Sequence, residues 1–340
     1  LKWIHNREGE YMKKIKCFTH GDLDGVVSNL LFCRFYNSIG FGHSTETGAT
    51  GEDIDKKILA YINNSREYSK DDVIIVTDVC MSYNVAAILN NLPNTKIHID
   101  HHDTSRKMLS LINPDDVDFS WSYIREGDSA TMLAYKYLEK MAESEPVLLS
   151  IIKEYRTLVV ITDLWDTKSR DCEDYINWRD KIENTNALMS ALGWAGTKAR
   201  FMLNPSIELD EIEHTKIETI KKIKDNVMRY TNVYVRPIVF KEQKHVYGVC
   251  FVGLYRSEVA EYIASNNSEL LFVAMINMND LKVSLRRAKH SLSEEIDLIQ
   301  IATQFDKFGG GHPFACGFGF TLENYTNIID SMMNAKFTLE

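Results

Sequence analysis

No stretch of this 340-residue sequence stays apolar for the roughly 18 to 20 residues that a membrane-spanning helix needs. Leu1 to Lys16 carry charges throughout and have no apolar core, so no export signal is expected and a cytoplasmic location is. Met12 reads as a natural start, with residues 1–11 either an upstream extension or an expression remnant. The six cysteines, Cys17, Cys33, Cys80, Cys172, Cys250 and Cys316, include no C-x-x-C pair. Scattered in apolar surroundings, they predict reduced, buried thiols rather than a disulfide framework or a zinc site. Basic residues are in deficit, 39 Lys and Arg against 48 Asp and Glu, for a net charge of −9. Proteins that grip long nucleic acid need a basic surface, so no long duplex partner is expected. A short nucleotide in a local basic pocket, or a carboxylate-rich site neutralised by cations, fits the deficit. Neither internal repeats nor low-complexity segments occur.

What is present is an ordinary globular composition, 44% hydrophobic and 26% charged, long enough for two cores. In the first half, strands are predicted at Lys16–Thr19, Val73–Thr77 and Lys96–Ile99. The run Val73-Ile74-Ile75-Val76 is the pattern of a strand buried on both faces. Helices are predicted over Gly25–Tyr36, Val85–Asn90, Ser129–Met141 and Pro146–Thr162. Strands alternating with helices give an α/β domain on a parallel sheet. Residues 170–207 read as polar and irregular with helical pieces, a candidate lid or dimer contact that leaves a homodimer open. Leu209 to Tyr230 is amphipathic and helical. Strands then resume at Val233–Phe240, Val246–Val252, Leu270–Ile276 and Lys282–Leu285, with helices over Glu258–Ala264 and Glu294–Phe305. The expected architecture is a parallel-sheet N-terminal domain (12–207), a helical linker (208–231) and a smaller α/β C-terminal domain (232–340).

The chemistry sits where elements stop. Strand one runs into His20-Gly21-Asp22-Leu23-Asp24-Gly25, strand two into Asp78, strand three into Asp100-His101-His102-Asp103, and the helix over 146–162 into Asp163. Ligands of parallel α/β sheets bind outside the carboxyl ends of the strands, so these residues should converge. A lone Asp at such an end is usually a cap or turn residue, but the joint pattern is hard to reach by chance. Several carboxylates together repel one another unless cations neutralise them. Carboxylates mixed with imidazoles, without thiolates, suit Mn²⁺ or a similar ion. Two ions roughly 3.5 to 4 Å apart could activate a water between them.

These residues resemble the motifs of the DHH phosphoesterase superfamily. His20 to Gly25 is similar to the first motif, Asp78 to the second, Asp100-His101-His102 to the third, and Asp163 in Thr162-Asp163-Leu164-Trp165-Asp166 to the fourth. Ser284-Leu285-Arg286 followed by Gly309-Gly310-Gly311-His312 resembles the DHH-associated C-terminal domain. The resemblance implies two divalent ions, Mn²⁺, with His20 and Asp22 on the first, Asp24, His101 and Asp163 on the second, and Asp78 bridging. It places Asp100 behind the histidines and His102 beside the site, to orient a ligand or assist proton transfer. Gly309, Gly310 and Gly311 would let backbone N–H groups approach a phosphate, with His312 and Arg286 as its hydrogen-bond partners. The chain departs from the pattern after the glycines, where Phe314 could offer a stacking surface for a base but is expected in the core. Within the superfamily the chain is most similar to nanoRNase B-type oligoribonucleases. That implies a phosphodiesterase clearing short oligonucleotides to mononucleotides. Hydrolysis of 3′-phosphoadenosine 5′-phosphate or of linear or cyclic dinucleotides, and a non-hydrolytic nucleotide sensor, are the alternatives.

Overall fold

The computed structural model describes residues 13–48, 51–110, 119–167, 172–288, 295–306 and 309–339. The chain forms two compact units, Leu1–Ile217 and Glu218–Glu340. The first contains β1 (Lys14–His20), α1 (Leu23–Ser38), β2 (Gly42–Gly48), α2 (Gly51–Asn63), β3 (Val73–Thr77), α3 (Tyr83–Asn90), β4 (Thr95–Asp100), α4 (Asp103–Ser110) and β5 (Ser122–Ile124). Helices α5 (Ala130–Met141), α6 (Pro146–Lys153), α7 (Arg156–Thr167) and α8 (Glu173–Leu203) follow, and α9 (Glu211–Tyr230) leads out of the unit. The five strands are parallel, in the order β2-β1-β3-β4-β5.

Strand alternation explains the layering. On β1 and β3, Ile15, Cys17, Val73 and Ile75 pack into a core with α1, α5 and α7. Phe18, Ile74 and Val76 point the other way, into a core with α2 and α3. Successive strand residues face opposite sides, so one sheet feeds two cores and every β3 side chain is buried. Two strands of this sheet lie where none was expected. β2 (Gly-His-Ser-Thr-Glu-Thr-Gly) has no apolar side chain and sits at the sheet edge, and β5 has three residues.

Two helical expectations are corrected. The helix predicted over 146–162 is two helices, broken where Tyr155 turns inward and its hydroxyl donates to Phe201 O at 3.2 Å. Residues 173–203 are helical, with a kink at Gly193, whose φ of 68° suits glycine. Tyr175, Ile182, Thr185 and Leu188 bury one narrow face of α8. The rest is polar, which disguises the helical period.

The second unit holds β6 (Val233–Phe240), β7 (Gln243–Phe251), α10 (Arg256–Asn266), β8 (Leu270–Asn277), β9 (Lys282–Arg287), α11 (Ile299–Phe305), β10 (Gly310–His312), β11 (Ala315–Gly319) and α12 (Tyr325–Met333). Its six-stranded sheet runs β10-β11-β9-β8-β7-β6 and is antiparallel except between β7 and β8. Fully buried β8 separates two cores, as β3 does in the first unit. The helix expected from Glu294 begins at Ile299, and Glu294 lies outside the described residues. Among the described residues no helix is long and apolar enough to cross a membrane.

Candidate metal centre

Local geometry sets each donor. β1 ends at His20, and Asp22 caps α1, its Oδ1 accepting from Gly25 N at 3.0 Å. A Cβ at position 25 would lie 2.3 Å from His20 O, so the turn that brings His20 and Asp22 together requires glycine. His20 Nδ1 is 2.8 Å from Asp22 Oδ2. Asp78 follows β3 in the left-handed region, at φ 58°, and its N–H donates to Ile99 O of β4 at 2.9 Å. Asp100, fully buried, accepts from His101 N at 2.8 Å and pairs through Oδ1 with His102 Nδ1 at 2.7 Å. A carboxylate can only accept, so Nδ1 carries the proton and Nε2 of His102 is left for other partners. Ser105 Oγ donates to the other Asp100 oxygen. Sequence reasoning missed this serine; only its place on the first turn of the helix after the histidines hinted at it.

The donors gather in overlapping groups whose ligand atoms lie within 4.8 Å of one another: His20 with Asp22 and Asp78; Asp24 with His101 and Asp166; and Asp78 with Asp100, His101 and His102. Asp78 faces two ways. Its Oδ2 is 3.9 Å from His20 Nδ1 and its Oδ1 is 3.4 Å from His101 Nε2. His101 Nε2 also lies 3.7 Å from Asp24 Oδ2 and 3.5 Å from Asp166 Oδ2.

Of the six ligands expected from the sequence, the structure brings together His20, Asp22, Asp24, Asp78 and His101. Asp163 is not in these groups. Its Oδ1 accepts from Ser129 N at 2.8 Å, at the start of α5. Asp24 is also tied there, accepting from Ala130 N and Thr131 N at 2.8 Å each. The N-terminus of α5 thus holds two carboxylates, as its unpaired N–H groups and dipole favour. Asp166, three residues along α7, is the carboxylate grouped with Asp24 and His101.

The electrostatics fit a cation site. Burial, then the charges of Asp24, Asp22 and Asp100, push the Asp78 carboxyl well above the usual range. Burial, then Asp24 and Asp22, raise Asp166 to about 7. Burial also opposes ionisation of Asp22, but the hydrogen bond and charge of His20 outweigh it and hold the group at about 2. Asp78 Oδ2 and Asp166 Oδ2 are buried and accept no hydrogen bond among the described residues. Buried carboxylate oxygens without donors, among like charges, are what divalent cations satisfy.

Residues 14–162 match the family model described as DHH family, N-terminal domain. They form a DHH-family domain. The chain carrying it is 25% identical over 324 residues to the oligoribonuclease NrnB of Bacillus subtilis strain 168, covering 91% of this chain and 73% of NrnB. Among solved structures, RecJ of Thermus thermophilus in complex with Mn²⁺ matches with a TM-score of 0.56 and 13% identity, over 96% of this chain and 53% of RecJ. An exonuclease RecJ bound to manganese matches with a TM-score of 0.53 and 14% identity, over 95% of this chain and 90% of that one. These structures share the fold of this chain.

In the second unit, Arg286 on β9 is paired with Ala315, and Ala315 with His312, so the three lie in one register line across the sheet. Gly310 and Gly311 form the edge strand β10 rather than a free loop. Gly309 is forced: a Cβ there would lie 2.8 Å from Ala302 O and 2.9 Å from Asp306 O. Phe314 is not core. It is 47% exposed, and Arg287 Cζ sits 5.7 Å from its ring centroid.

Proposed function

We propose that this metal-dependent phosphodiesterase hydrolyses short oligonucleotides to mononucleotides, using two divalent ions, Mn²⁺ in particular. The observation that carries the two-ion reading is the placement of Asp78, one carboxylate oxygen toward His20 and the other toward His101. His20 and Asp22 would hold one ion, Asp24, His101 and Asp166 the other, and Asp78 both. The bound ions would supply a water ionised near neutral pH and stabilise the charge that develops on the phosphate.

The chain's own residues do the rest. Asp100 fixes the His102 ring with Nε2 outward, and the half-exposed imidazole can reach a substrate oxygen and deliver a proton to it. Arg286 offers a planar fork of donors to a phosphate, with His312 on its register line across the sheet and the backbone of Gly309, Gly310 and Gly311 leading into that histidine. Similarity to NrnB, named an oligoribonuclease, supports the substrate class, as does the net charge of −9, which disfavours long polyanions.

With Mn²⁺ present, a labelled RNA dinucleotide is expected to be cleaved at least about tenfold faster than a single strand of about 24 residues, because an acidic protein lacks the basic track that a long strand follows. Faster cleavage of the long strand overturns the reading, and full recovery of intact dinucleotide would make the protein a binding module. Arg286→Ala is expected to raise KM for the dinucleotide about tenfold with kcat within about threefold, the signature of lost ground-state binding. A fall in kcat at constant KM would remove Arg286 from the phosphate pocket.

A further inference from the structure

The carboxyl edge of the first sheet carries a cation that the two-ion chemistry leaves unused. The ladder between β4 and β5 continues one step past the strands, where Arg125 N–H donates to Asp100 O at 3.2 Å. Asp100 is paired with Ile124, so Arg125 stands beside His101, one strand further out. Parallel partners share a face of the sheet, as the 2.8 Å contact between His98 Nδ1 and its partner Ser122 Oγ shows at the start of β5. His101 and Arg125 continue the line of Ile99 and Tyr123, which face the core built with α1, α5 and α7. Asp24 of α1 and Asp166 of α7 meet His101 on that side. The chain is tied to the centre on both sides of Arg125: the bond to Asp100 O comes at the residue itself, and Ala130 N–H, at the start of α5, donates to Asp24 at 2.8 Å. Gly127, at φ 92°, makes the turn between the two. Arg125 is exposed, and its Cζ lies 4.8 Å from the ring centroid of Tyr123, which packs against the core. The acids of the turn serve other cations, Glu126 pairing with Arg106 at 2.6 Å and Asp128 with Lys136 at 2.7 Å. Among the described residues no carboxylate pairs with Arg125. A guanidinium laid on an aromatic face keeps the donors of its edge for other partners, and in a chain where acids outnumber bases this fork has been left for an incoming anion.

We propose that Arg125 binds a phosphate of the substrate, the one next to the phosphate being cleaved. The carboxylate that faces both groups of donors, Asp78, follows β3, two strands from β5 and so roughly 10 Å away across the sheet. Tyr123 holds the guanidinium on the β5 side, one nucleotide step out from the ions rather than over them. In a dinucleotide the phosphate available there is a terminal one, at the 5′ or the 3′ end. Arginine suits it, because the planar fork gives two parallel charge-assisted bonds to a phosphate. The inference rests on the phosphodiesterase reading and adds to it a preference for phosphorylated ends, set by a residue of the N-terminal unit.

The test uses the full chain with Mn²⁺ and three RNA dinucleotides of one sequence, bearing a 5′-phosphate, a 3′-phosphate or neither. In the wild type, kcat/KM for one phosphorylated form is expected to exceed that for the bare dinucleotide about tenfold or more, and which form does so assigns the end. In Arg125→Gln that advantage should shrink to within about threefold, mainly through KM, as loss of a charge-assisted pair does. Arg125→Lys, which keeps the charge without the fork, should fall between the two. No preference in the wild type, an advantage that survives in Arg125→Gln, or an equal loss on all three substrates overturns the assignment; the last is what a merely structural role would give. Cleavage of none of the three counts against the phosphodiesterase reading instead. Equilibrium dialysis of the same three dinucleotides then reads the preference as Kd, and equal Kd values in the wild type overturn the role of Arg125 on their own.

Discussion

Asp78→Asn is expected to lower Mn²⁺-supported hydrolysis by at least about a thousandfold while circular dichroism and elution volume stay those of the wild type. The carboxylate turns one oxygen to each group of donors, and an amide would turn an NH₂ toward one of them. Asparagine is the informative replacement because residue 78 sits at φ 58°, which Asn tolerates and which costs alanine about 1 kcal/mol. The metal-free protein gives an independent check. Asp78 is buried among Asp22, Asp24 and Asp100, so removing its charge relieves repulsion and the metal-free variant should melt at or above the wild type. The wild type should gain about 2.7 kcal/mol from Mn²⁺ at a hundred times its Kd, and the variant much less. Thermal melts with and without Mn²⁺ measure both. A variant with more than a tenth of wild-type turnover would mean that no carboxylate links two ions.

The second large effect separates two aspartates three residues apart. Asp166→Asn should cost at least about a hundredfold in turnover with the fold unchanged, as loss of an inner metal ligand does. Asp163→Asn should stay active, because its amide oxygen still accepts from Ser129 N–H. Asp163→Ala leaves that buried donor without a partner and should cost about 1–3 kcal/mol of stability, read as a lower midpoint in urea. The reverse pattern, an inactive Asp163→Asn and an active Asp166→Asn, would restore Asp163 as the ligand.

Why the sequence favoured Asp163 over Asp166 is physical. Residues three apart on a helix lie on one face, so both could reach the cluster. Which one does depends on where α7 begins, and the break at residues 154–155 is invisible in an apolar pattern that runs through it. The motifs on β1, β3 and β4 were legible because each follows an apolar strand of obvious period. β2 was not, having only small and polar side chains, and β5 is too short to have a period. The stretch from 173 to 203 hid its helix because a single narrow face meets the core. Phe314 shows the limit of hydropathy: an aromatic between edge strand β10 and its neighbour β11 lies against Arg287, not in the interior. Support from Ser105 and the N-terminus of α5 left no motif, since caps and hydroxyl donors are common everywhere.

The attachment of Asp24 to α5 also sets an order of assembly. Its two hydrogen bonds cross 106 and 107 residues of chain. A nascent polypeptide that has emerged through β4 already carries the first three motifs, yet nothing holds Asp24 until α5 arrives. Closing a loop of that length costs entropy that only docking of the helix against α1 repays. The centre is therefore a late product of folding, completed from the far side of the domain, and a chain stopped short of residue 130 would have the residues of the motif without the site.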